Sequence, residues 1–330
     1  MTEEQIQEKK KYAGEKRPSM KRRDEGHDYK ERRMYMITIE VEGRRPIFGQ
    51  LAGDVFAKAG SGNEPRIVLT KLGEAVRNEW LGITRYFPQI EVRAVQMMPD
   101  HMHGILFVRS TLPVHLGQVI SGFKAGCRKA LRAMASQSVA AEPSLTAKGL
   151  FAQGYNDLIL RSYEELSVWT NYLQDNPRRL MMKRALPELL RPFFGLNVGS
   201  HTYSGIGNRQ LLTAERRLSV RLSRRLTEQE TEREMQRLLE AAREGAVLVS
   251  PAISPAEKRV MRAAFDAGYS TVVIMENGFT PLSKPHGEQF YACAAGRLLM
   301  LSPWEHHNEK RKITATQCQQ LNLMALEICT

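Results

Sequence analysis

The segment from Met98 to Val108, MPDHMHGILFV, constrains the fold of this chain more than any other stretch. It predicts a turn or bulge at Pro99–Asp100 and an apolar strand over His101–Val108. Side chains alternate between the two faces of a strand, so His101 and His103 project together. Two neutral imidazoles on one face can bind one divalent metal, although paired histidines at a sheet surface more often have no such role.

Hydrophobic periodicity predicts a compact α+β unit around this strand. The predicted strands alternate in polarity or are rich in β-branched residues, and the predicted helices carry an apolar stripe. The strands are Met34–Val41, Ile90–Met98, His101–Val108 and Tyr155–Arg161, and the helices are Lys71–Tyr86 and Leu116–Met134.

A third helix follows the last of these strands. Ser162 begins it with a capping box, and Pro177 predicts that it ends at about Asp175. Tyr172 and Asn176 are four residues apart, so they share one helical face near that end. Taken separately, Tyr172 is typical of a core aromatic residue, and Asn176 is typical of a residue that ends a helix.

Two motifs in this order resemble those of the HUH single-tyrosine transposases, in particular the REP-associated tyrosine transposase branch of the IS200-like family. Met98–His103 reads MPDHMH, where the usual motif is M-P-N-H-V-H, and Tyr172–Pro177 reads YLQDNP, where the usual motif is Y-I-x-x-N-P. The resemblance covers Met34 to about Arg184. The chain departs from the family pattern at Asp100, commonly an asparagine, and at Leu158, where many relatives have a histidine.

The resemblance implies a fold, an activity and a set of site residues. The fold is an antiparallel sheet with helices over residues 34–185, and the activity is the cutting and rejoining of single-stranded, hairpin-bearing DNA. Tyr172 is implied to form a 5′-phosphotyrosine, and His101, His103 and Asn176 to hold one Mg²⁺ or Mn²⁺ ion. Relatives usually form homodimers. A non-catalytic or domesticated DNA-binding relative is the alternative.

The charge balance agrees with a polyanionic partner. Lys and Arg number 48 against 36 Asp and Glu, which gives a net charge of +12. Residues 1–33 predict a basic, mixed-charge tail without stable structure of its own. The candidate phosphate-contacting side chains are Lys124, Arg128, Lys129 and Arg132. These four side chains could equally form a solvated helix face.

Two absences argue against other protein classes. The sequence has no run of ~18 apolar residues, so no membrane-spanning segment is expected. The four cysteines have no C-x-x-C spacing. This argues against a zinc finger and a disulfide framework, and agrees with a reducing cytoplasm.

The last third of the chain follows a different pattern. Residues 186–244 predict a connector rich in proline and glycine over Leu186–Asn208 and a long basic helix over Thr213–Glu244. Residues 245–330 predict a small α/β domain. Alternation of apolar strands and helices there predicts a parallel, Rossmann-like sheet, and the motif order loosely resembles the DprA/SLOG-like group. Ligands of such sheets bind at the carboxyl ends of the strands.

That rule predicts a ligand site in the last domain, with nucleotide or DNA as the candidate ligand. The residues at the predicted strand ends are Ser250, Ser254, Glu276, Asn277 and Gly278. Ser254 is also typical of a helix N-cap. The domain could lead a nucleotide-sensing function or only support dimer contacts.

Overall fold

The computed structural model describes residues 23–24, 26–58, 60–137, 149–223, 225–309 and 311–330 of the chain. Contacts between residues divide this part of the chain into two compact units, with the boundary between Ala185 and Leu186. Residues 23–185 are called the N-terminal unit below, and residues 186–330 the C-terminal unit.

The N-terminal unit is an antiparallel α+β fold. Its elements in chain order are β1 (Arg33–Glu40), β2 (Gly49–Ala52), β3 (Arg66–Leu69), α1 (Lys71–Leu81), α2 (Ile83–Tyr86), β4 (Ile90–Met97), β5 (His101–Val108), α3 (Leu116–Gln137), β6 (Asn156–Leu160) and α4 (Tyr163–Ala185). Four strands form an antiparallel sheet in the order β4-β5-β1-β6, and β2 pairs with β3 in a separate hairpin. Strand β5, which carries the histidine pair, is therefore an interior strand of the larger sheet.

Helices α1 and α3 cover one face of this sheet. Trp80 is fully buried there and meets Phe123 edge-to-face, with 5.2 Å between the ring centroids. Gly104 of β5 makes room for the indole, because a Cβ atom at this position would lie 2.2 Å from Trp80 Cζ2. The packing of this face therefore requires a glycine in the middle of the strand.

Helix α4 covers the other face. Its Leu173 is buried against Ile105 and Phe107 of β5. Because strand side chains alternate, His101 and His103 lie on this same face, toward α4. The sheet thus separates the histidine pair from α1 and α3.

Helix α4 continues to Ala185, so the predicted end at about Asp175 was wrong. Pro177 is inside the helix and is buried together with Leu173 and Asn176. An interior proline costs ~3 kcal/mol because it lacks one N–H donor and clashes with the preceding turn. We attribute the continuation to burial of this helix face against the sheet, which offsets that cost.

Part of the predicted N-terminal tail is folded. Residues 1–22 and residue 25 lie outside the described residues, but the chain from Arg23 onward packs on the N-terminal unit. Tyr29 is only 3% exposed, and His27 Nε2 lies 2.8 Å from the Tyr35 hydroxyl. Arg23 forms an ion pair with Asp157 of β6. The aromatic residues within this charged stretch supply the buried area that a purely charged tail lacks.

The C-terminal unit is built on a six-stranded mixed sheet. Its elements in chain order are α5 (Pro187–Leu190), β7 (Phe193–Val198), β8 (His201–Gly207), β9 (Arg217–Ser219), α6 (Glu228–Arg243), β10 (Val247–Ser250), α7 (Pro255–Asp266), β11 (Thr271–Ile274), α8 (Gly287–Ala294), β12 (Leu298–Ser302) and α9 (Ala315–Cys329). The strand order is β7-β8-β12-β11-β10-β9. Strands β9 to β12 are parallel, and β7 and β8 add two antiparallel strands at one edge.

The segment predicted to be a connector supplies two of these strands, β7 and β8. Glycines that indicated a loop instead allow β8 to lie close to β12: a Cβ atom at Gly205 would lie 2.5 Å from the Met300 carbonyl oxygen. Gly207 has a positive φ of 122°, which favours glycine. The prediction therefore mistook close strand pairing for loop structure.

The long helix predicted over Thr213–Glu244 is also shorter than expected. Strand β9 occupies its first part, and α6 begins only after Thr227, whose side chain and that of Glu230 form a capping box. By contrast, the capping box predicted at Ser254 is confirmed, with Glu257 as its partner at the start of α7.

Helices cover both faces of the C-terminal sheet. Leu238 of α6 and Val260 of α7 pack with Leu248 on one face, and Met324 of α9 packs with Val249 on the other. The predicted fold class is confirmed: an antiparallel α+β unit is followed by a mostly parallel α/β unit. In the described ranges of both units, no helix is long and apolar enough to span a membrane.

Candidate active site

The two histidines of β5 converge at one point. His101 Nε2 and His103 Nε2 are 3.1 Å apart, and the rings meet edge-to-face with 4.8 Å between their centroids. Each ring is held through its other nitrogen: His101 Nδ1 lies 2.6 Å from Asp100 Oδ1, and His103 Nδ1 lies 2.8 Å from Thr38 Oγ1 on β1. Partners of this kind fix the orientation of an imidazole and leave the Nε2 atom for a ligand.

The electrostatics of the pair favour a neutral imidazole at His103. The pKa of His103 is lowered to about 3, mainly by burial and also by the charges of His101 and Arg44. The pKa of Asp100 is lowered even though burial opposes this, because Asp100 is hydrogen-bonded to His101 and also lies near Arg44. Neutral imidazole is the form that coordinates a metal.

Helix α4 places the predicted tyrosine and asparagine beside these histidines. Tyr172 and Asn176 line the same cavity as His101 and His103, and this cavity has a volume of about 410 Å³. Tyr172 is 39% exposed, whereas Asn176 is buried, and its Nδ2 atom has no hydrogen-bond partner among the described residues. All four residues singled out from the sequence for chemistry thus come together in space.

The ring of Tyr172 is held from two sides. Trp169 meets it edge-to-face, with 5.3 Å between the centroids, and the Arg179 guanidinium carbon lies 5.5 Å from its centroid. Arg179 is seven residues after Tyr172, so it reaches the ring only because α4 continues through Pro177.

The rim of the cavity is strongly cationic. Its only carboxylate among the lining residues is that of Asp100. The four basic side chains that line it are Arg44, Arg179, Lys183 and Arg184. Arg44 has a positive φ of 56° in the turn that follows β1, and its Nε lies 2.9 Å from Asp100 Oδ2. A non-glycine residue in this conformation is strained, and such strain often marks functional sites.

The sequence did not single out these basic residues. Arg44 depends on a long-range contact with Asp100, and Arg179 depends on the continuation of a helix that was expected to end before it. The positive φ of Gly43, 67°, belongs to the same turn. A glycine two residues after the predicted strand Met34–Val41 was the signal that could have indicated a turn beside the site.

The four predicted phosphate-contacting residues lie elsewhere. They are on α3, across the sheet from the histidines, and none of them lines this cavity. Lys124 is buried, and its ammonium group donates to the carbonyl oxygens of Ala152 and Gly154, so it does not belong to a solvated helix face. Arg128 is half-buried, and Lys129 and Arg132 are exposed.

The residues predicted to bind a ligand in the C-terminal unit all contact neighbouring loops. The Ser250 hydroxyl donates to the Val220 carbonyl oxygen and accepts from the Ala252 N–H. Ser254 is the N-cap of α7, as its alternative interpretation predicted.

The other three residues contact the loop after β12. The Asn277 side chain exchanges two hydrogen bonds with the backbone of His307, each 3.0 Å long, and Glu276 lies 3.4 Å from His307 Nε2. Gly278 allows this loop to approach, because a Cβ atom there would lie 2.2 Å from the Trp304 carbonyl oxygen. One donor and one acceptor position of the Asn277 amide are therefore used within the unit.

The donor set for a metal consists of two imidazoles and one amide. Within the described part of the chain, no group of three or more His, Cys, Asp and Glu side chains is arranged to hold a metal. A site at His101 and His103 would therefore need the Asn176 amide as its third protein ligand.

No family model matches the chain. An uncharacterised protein of Haemophilus influenzae is 24% identical over 171 residues, which are 46% of this chain and 83% of that protein.

Three solved structures are similar over parts of the chain. A REP-associated tyrosine transposase bound to a REP hairpin matches 47% of this chain and 72% of its own, at 15% identity and a TM-score of 0.33. A candidate transposase from Deinococcus radiodurans matches 46% and 97%, at 13% identity and a TM-score of 0.28. DNA processing protein A from Helicobacter pylori, described for its single-stranded DNA binding, matches 42% and 66%, at 15% identity and a TM-score of 0.32.

Proposed function

We propose that the N-terminal unit is a metal-dependent tyrosine transposase domain that cuts and rejoins single-stranded, hairpin-bearing DNA. The observation that carries this proposal is the convergence of Tyr172, Asn176, His101 and His103 in one cavity. These residues come from two elements about seventy residues apart in sequence. They form a nucleophile beside a set of imidazole and amide ligands, which is an arrangement suited to phosphoryl transfer.

The residues present fit a divalent metal such as Mg²⁺ or Mn²⁺. The two Nε2 atoms are 3.1 Å apart, close to the ~3 Å that separates neighbouring ligands around an octahedral ion with ~2.1 Å bonds. The buried amide of Asn176 lacks a partner at Nδ2 among the described residues, and a flip of this amide exchanges its nitrogen and oxygen positions. When bound, the metal would polarise an oxygen of the scissile phosphate and offset its developing charge.

The reaction itself is a transfer of the phosphoryl group to the tyrosine. The Tyr172 hydroxyl oxygen attacks phosphorus and forms the new O–P bond, while the bond from phosphorus to the 3′ oxygen breaks. The phenolic proton is lost and the 3′ oxygen gains a proton, which leaves a 3′-hydroxyl and a 5′-phosphotyrosine. The energy of the phosphodiester bond is retained in the covalent link, so rejoining by the reverse step needs no nucleotide triphosphate.

The surroundings of Tyr172 favour this attack in two ways. Contacts with Trp169 and Arg179 restrict the orientation of the phenol ring. A nucleophile that is already oriented loses less entropy on reaching the transition state. The cationic rim attracts the DNA backbone, and Arg179 lies where its guanidinium can contact a phosphate beside the tyrosine.

Covalent trapping tests the proposal. A single-stranded hairpin oligonucleotide labelled at its 3′ end is incubated with the full chain and Mg²⁺ or Mn²⁺, then separated on a denaturing gel. We expect label to migrate with the protein, and chelation of the metal should abolish this band.

Two tyrosine variants of α4 give the matched comparison. Tyr172→Phe should abolish the adduct but retain hairpin binding, whereas Tyr163→Phe, at an exposed position at the start of α4, should form the adduct normally. An undiminished adduct with Tyr172→Phe would contradict the proposal. Binding without any adduct in the unmodified chain would favour a non-catalytic DNA-binding role.

A further inference from the structure

The chain departs from the usual histidine motif at Asp100, and both oxygens of this carboxylate have a partner. Oδ1 lies 2.6 Å from His101 Nδ1, and Oδ2 lies 2.9 Å from Arg44 Nε. A guanidinium group can only donate hydrogen bonds, and an ionised carboxylate can only accept them. His101 Nδ1 is therefore the donor in its hydrogen bond with Asp100, and the carboxylate is used at both ends.

The backbone and a second carboxylate keep Arg44 in this position. The Arg44 N–H donates to the Val41 carbonyl oxygen, and the Val41 N–H donates to the Asp100 carbonyl oxygen, each over 3.0 Å. Arg44 Nη1 also lies 2.9 Å from Glu40 Oε1, and Glu40 is paired with His101 in the register of β1 and β5. These contacts join the turn after β1 to the turn before β5, and they hold the left-handed backbone of Arg44.

An asparagine at position 100, the residue of the usual motif, could not replace this carboxylate beside Arg44. Its amide has one accepting oxygen and one donating nitrogen. If the oxygen faced Arg44, the nitrogen would donate to His101 Nδ1, and the neutral ring would carry its proton on Nε2. If the oxygen faced His101 instead, the amide nitrogen would oppose the Arg44 Nε–H, and neither donor would have an acceptor.

We propose that Arg44 and Asp100 act together as positioning residues, which select the tautomer of His101 that has its lone pair on Nε2. Only this neutral tautomer can bind a metal through Nε2, the atom that lies 3.1 Å from His103 Nε2. The inference rests on the proposed function, because it concerns the metal site of the tyrosine cavity. It adds a role for two residues to which the motif resemblance assigns none.

Nitrogen NMR of the metal-free full chain tests the tautomer directly. Histidine is supplied with isotope-labelled ring nitrogens, and the His101 signals are identified by their loss in His101→Gln. Protonated and unprotonated ring nitrogens have well separated chemical shifts. At about pH 8, where an ordinary histidine is neutral, we expect the proton on Nδ1 in the unmodified chain and on Nε2 in Asp100→Asn. The same tautomer in both proteins would overturn the proposal, and unchanged signals from the other histidines show that the variant is folded.

Mn²⁺ binding measures the consequence for the metal site without a cleavage step. Free Mn²⁺ is followed by electron paramagnetic resonance in the absence of DNA. Asp100→Asn should raise the Kd ~10–100-fold, the usual effect of losing a partner that orients a metal-binding histidine. Arg44→Asn removes the guanidinium group and tolerates the left-handed backbone. In the Arg44→Asn background, Asp100→Asn should raise the Kd less than ~threefold, because the amide oxygen can then face His101.

Arg184→Gln provides the matched control for charge. Arg184 also lines the cavity, but the ion pairs of Asp100 within the described residues are with Arg44 and His101. In the Arg184→Gln background, Asp100→Asn should therefore keep its full ~10–100-fold effect. An equal effect in the Arg44→Asn and Arg184→Gln backgrounds, or Mn²⁺ binding by Asp100→Asn that matches the unmodified chain, would overturn the proposal.

The two proposals can fail separately, because neither measurement uses DNA. If the unmodified chain forms no covalent adduct while the tautomer and the Mn²⁺ affinity respond as expected, only the proposed function is contradicted. If the adduct forms but Asp100→Asn changes neither quantity, only the role of Arg44 and Asp100 is overturned. Absence of Mn²⁺ binding by the unmodified chain would overturn both.

Discussion

Substitution of Gly104 by alanine should lower the free energy of unfolding of the N-terminal unit, because the added methyl group would clash with Trp80. The added Cβ atom would lie 2.2 Å from Trp80 Cζ2 and 2.3 Å from Trp80 Cε2. Carbon atoms in contact lie ~3.5–4.0 Å apart, so the indole or the strand has to move by about 1.3 Å or more. The indole is fully buried between α1, α3 and the sheet and cannot rotate into solvent.

Overpacking of this kind costs ~1–3 kcal/mol. At ~2–4 °C per kcal/mol for a domain of this size, the Tm of the N-terminal unit should fall by roughly 2–12 °C. Differential scanning calorimetry of the full chain measures the shift, and hydrogen exchange of peptides from β5 assigns it to the N-terminal unit.

Gly122 provides the control. It lies in α3, and no atom is within 4 Å of a Cβ built at this position. Gly122→Ala should therefore stabilise the unit by ~0.5–1 kcal/mol, as expected for a glycine inside a helix. A Gly104→Ala variant that melts at the same temperature as the unmodified chain would refute the packing argument.

Four further changes have defined outcomes. Thr38→Val removes the partner of the His103 ring and should raise the metal concentration needed for cleavage ~10–100-fold, measured by Mn²⁺ titration, while Thr38→Ser should restore it. Asn176→Leu should lose adduct formation while urea unfolding shows unchanged or greater stability, because the buried Nδ2 has no partner among the described residues. Arg179→Ala should slow adduct formation more than it weakens hairpin binding, and Arg179→Lys should not restore the rate, since lysine lacks the planar guanidinium. Glu257→Gln should lower the urea midpoint of the C-terminal unit by the equivalent of ~1–3 kcal/mol, because this buried carboxylate accepts three backbone N–H groups.

Local sequence signals predicted the parts of the fold that depend on near neighbours. The capping box at Ser254 needs only the backbone of α7 and the side chain of Glu257, three residues later. The shared face of His101 and His103 follows from alternation along a single strand. Such features depend only on residues close together in the sequence, so the sequence pattern was sufficient to predict them.

Features that depend on distant partners were missed. Strand β8 contains glycines that indicate a loop when taken alone, and its pairing partner β12 is about ninety residues further along the chain. Pro177 correctly marks a local cost to the helix, but burial of this helix face against β5 decides whether the helix continues. Arg179, Lys183 and Arg184 of the cationic rim were missed for the same reason, since they depend on that continuation.

In the candidate site too, residues within local motifs were predicted and residues that depend on distant contacts were missed. The motifs identified Tyr172, Asn176 and the histidine pair, which all line one cavity. Arg44 was not identified, because its contact with Asp100 requires a turn with positive φ that brings residues far apart in sequence together. Lys124 was assigned to the helix surface, yet it is buried against two carbonyl groups of a later loop.

The most direct test of the account is to identify the residue that becomes linked to DNA. The full chain is trapped on a single-stranded hairpin in the presence of Mn²⁺, digested with trypsin and nuclease, and analysed by mass spectrometry. The account predicts a nucleotide joined through its 5′ phosphate to the hydroxyl oxygen of Tyr172. A link to any other residue, or through a 3′ phosphate, would contradict it.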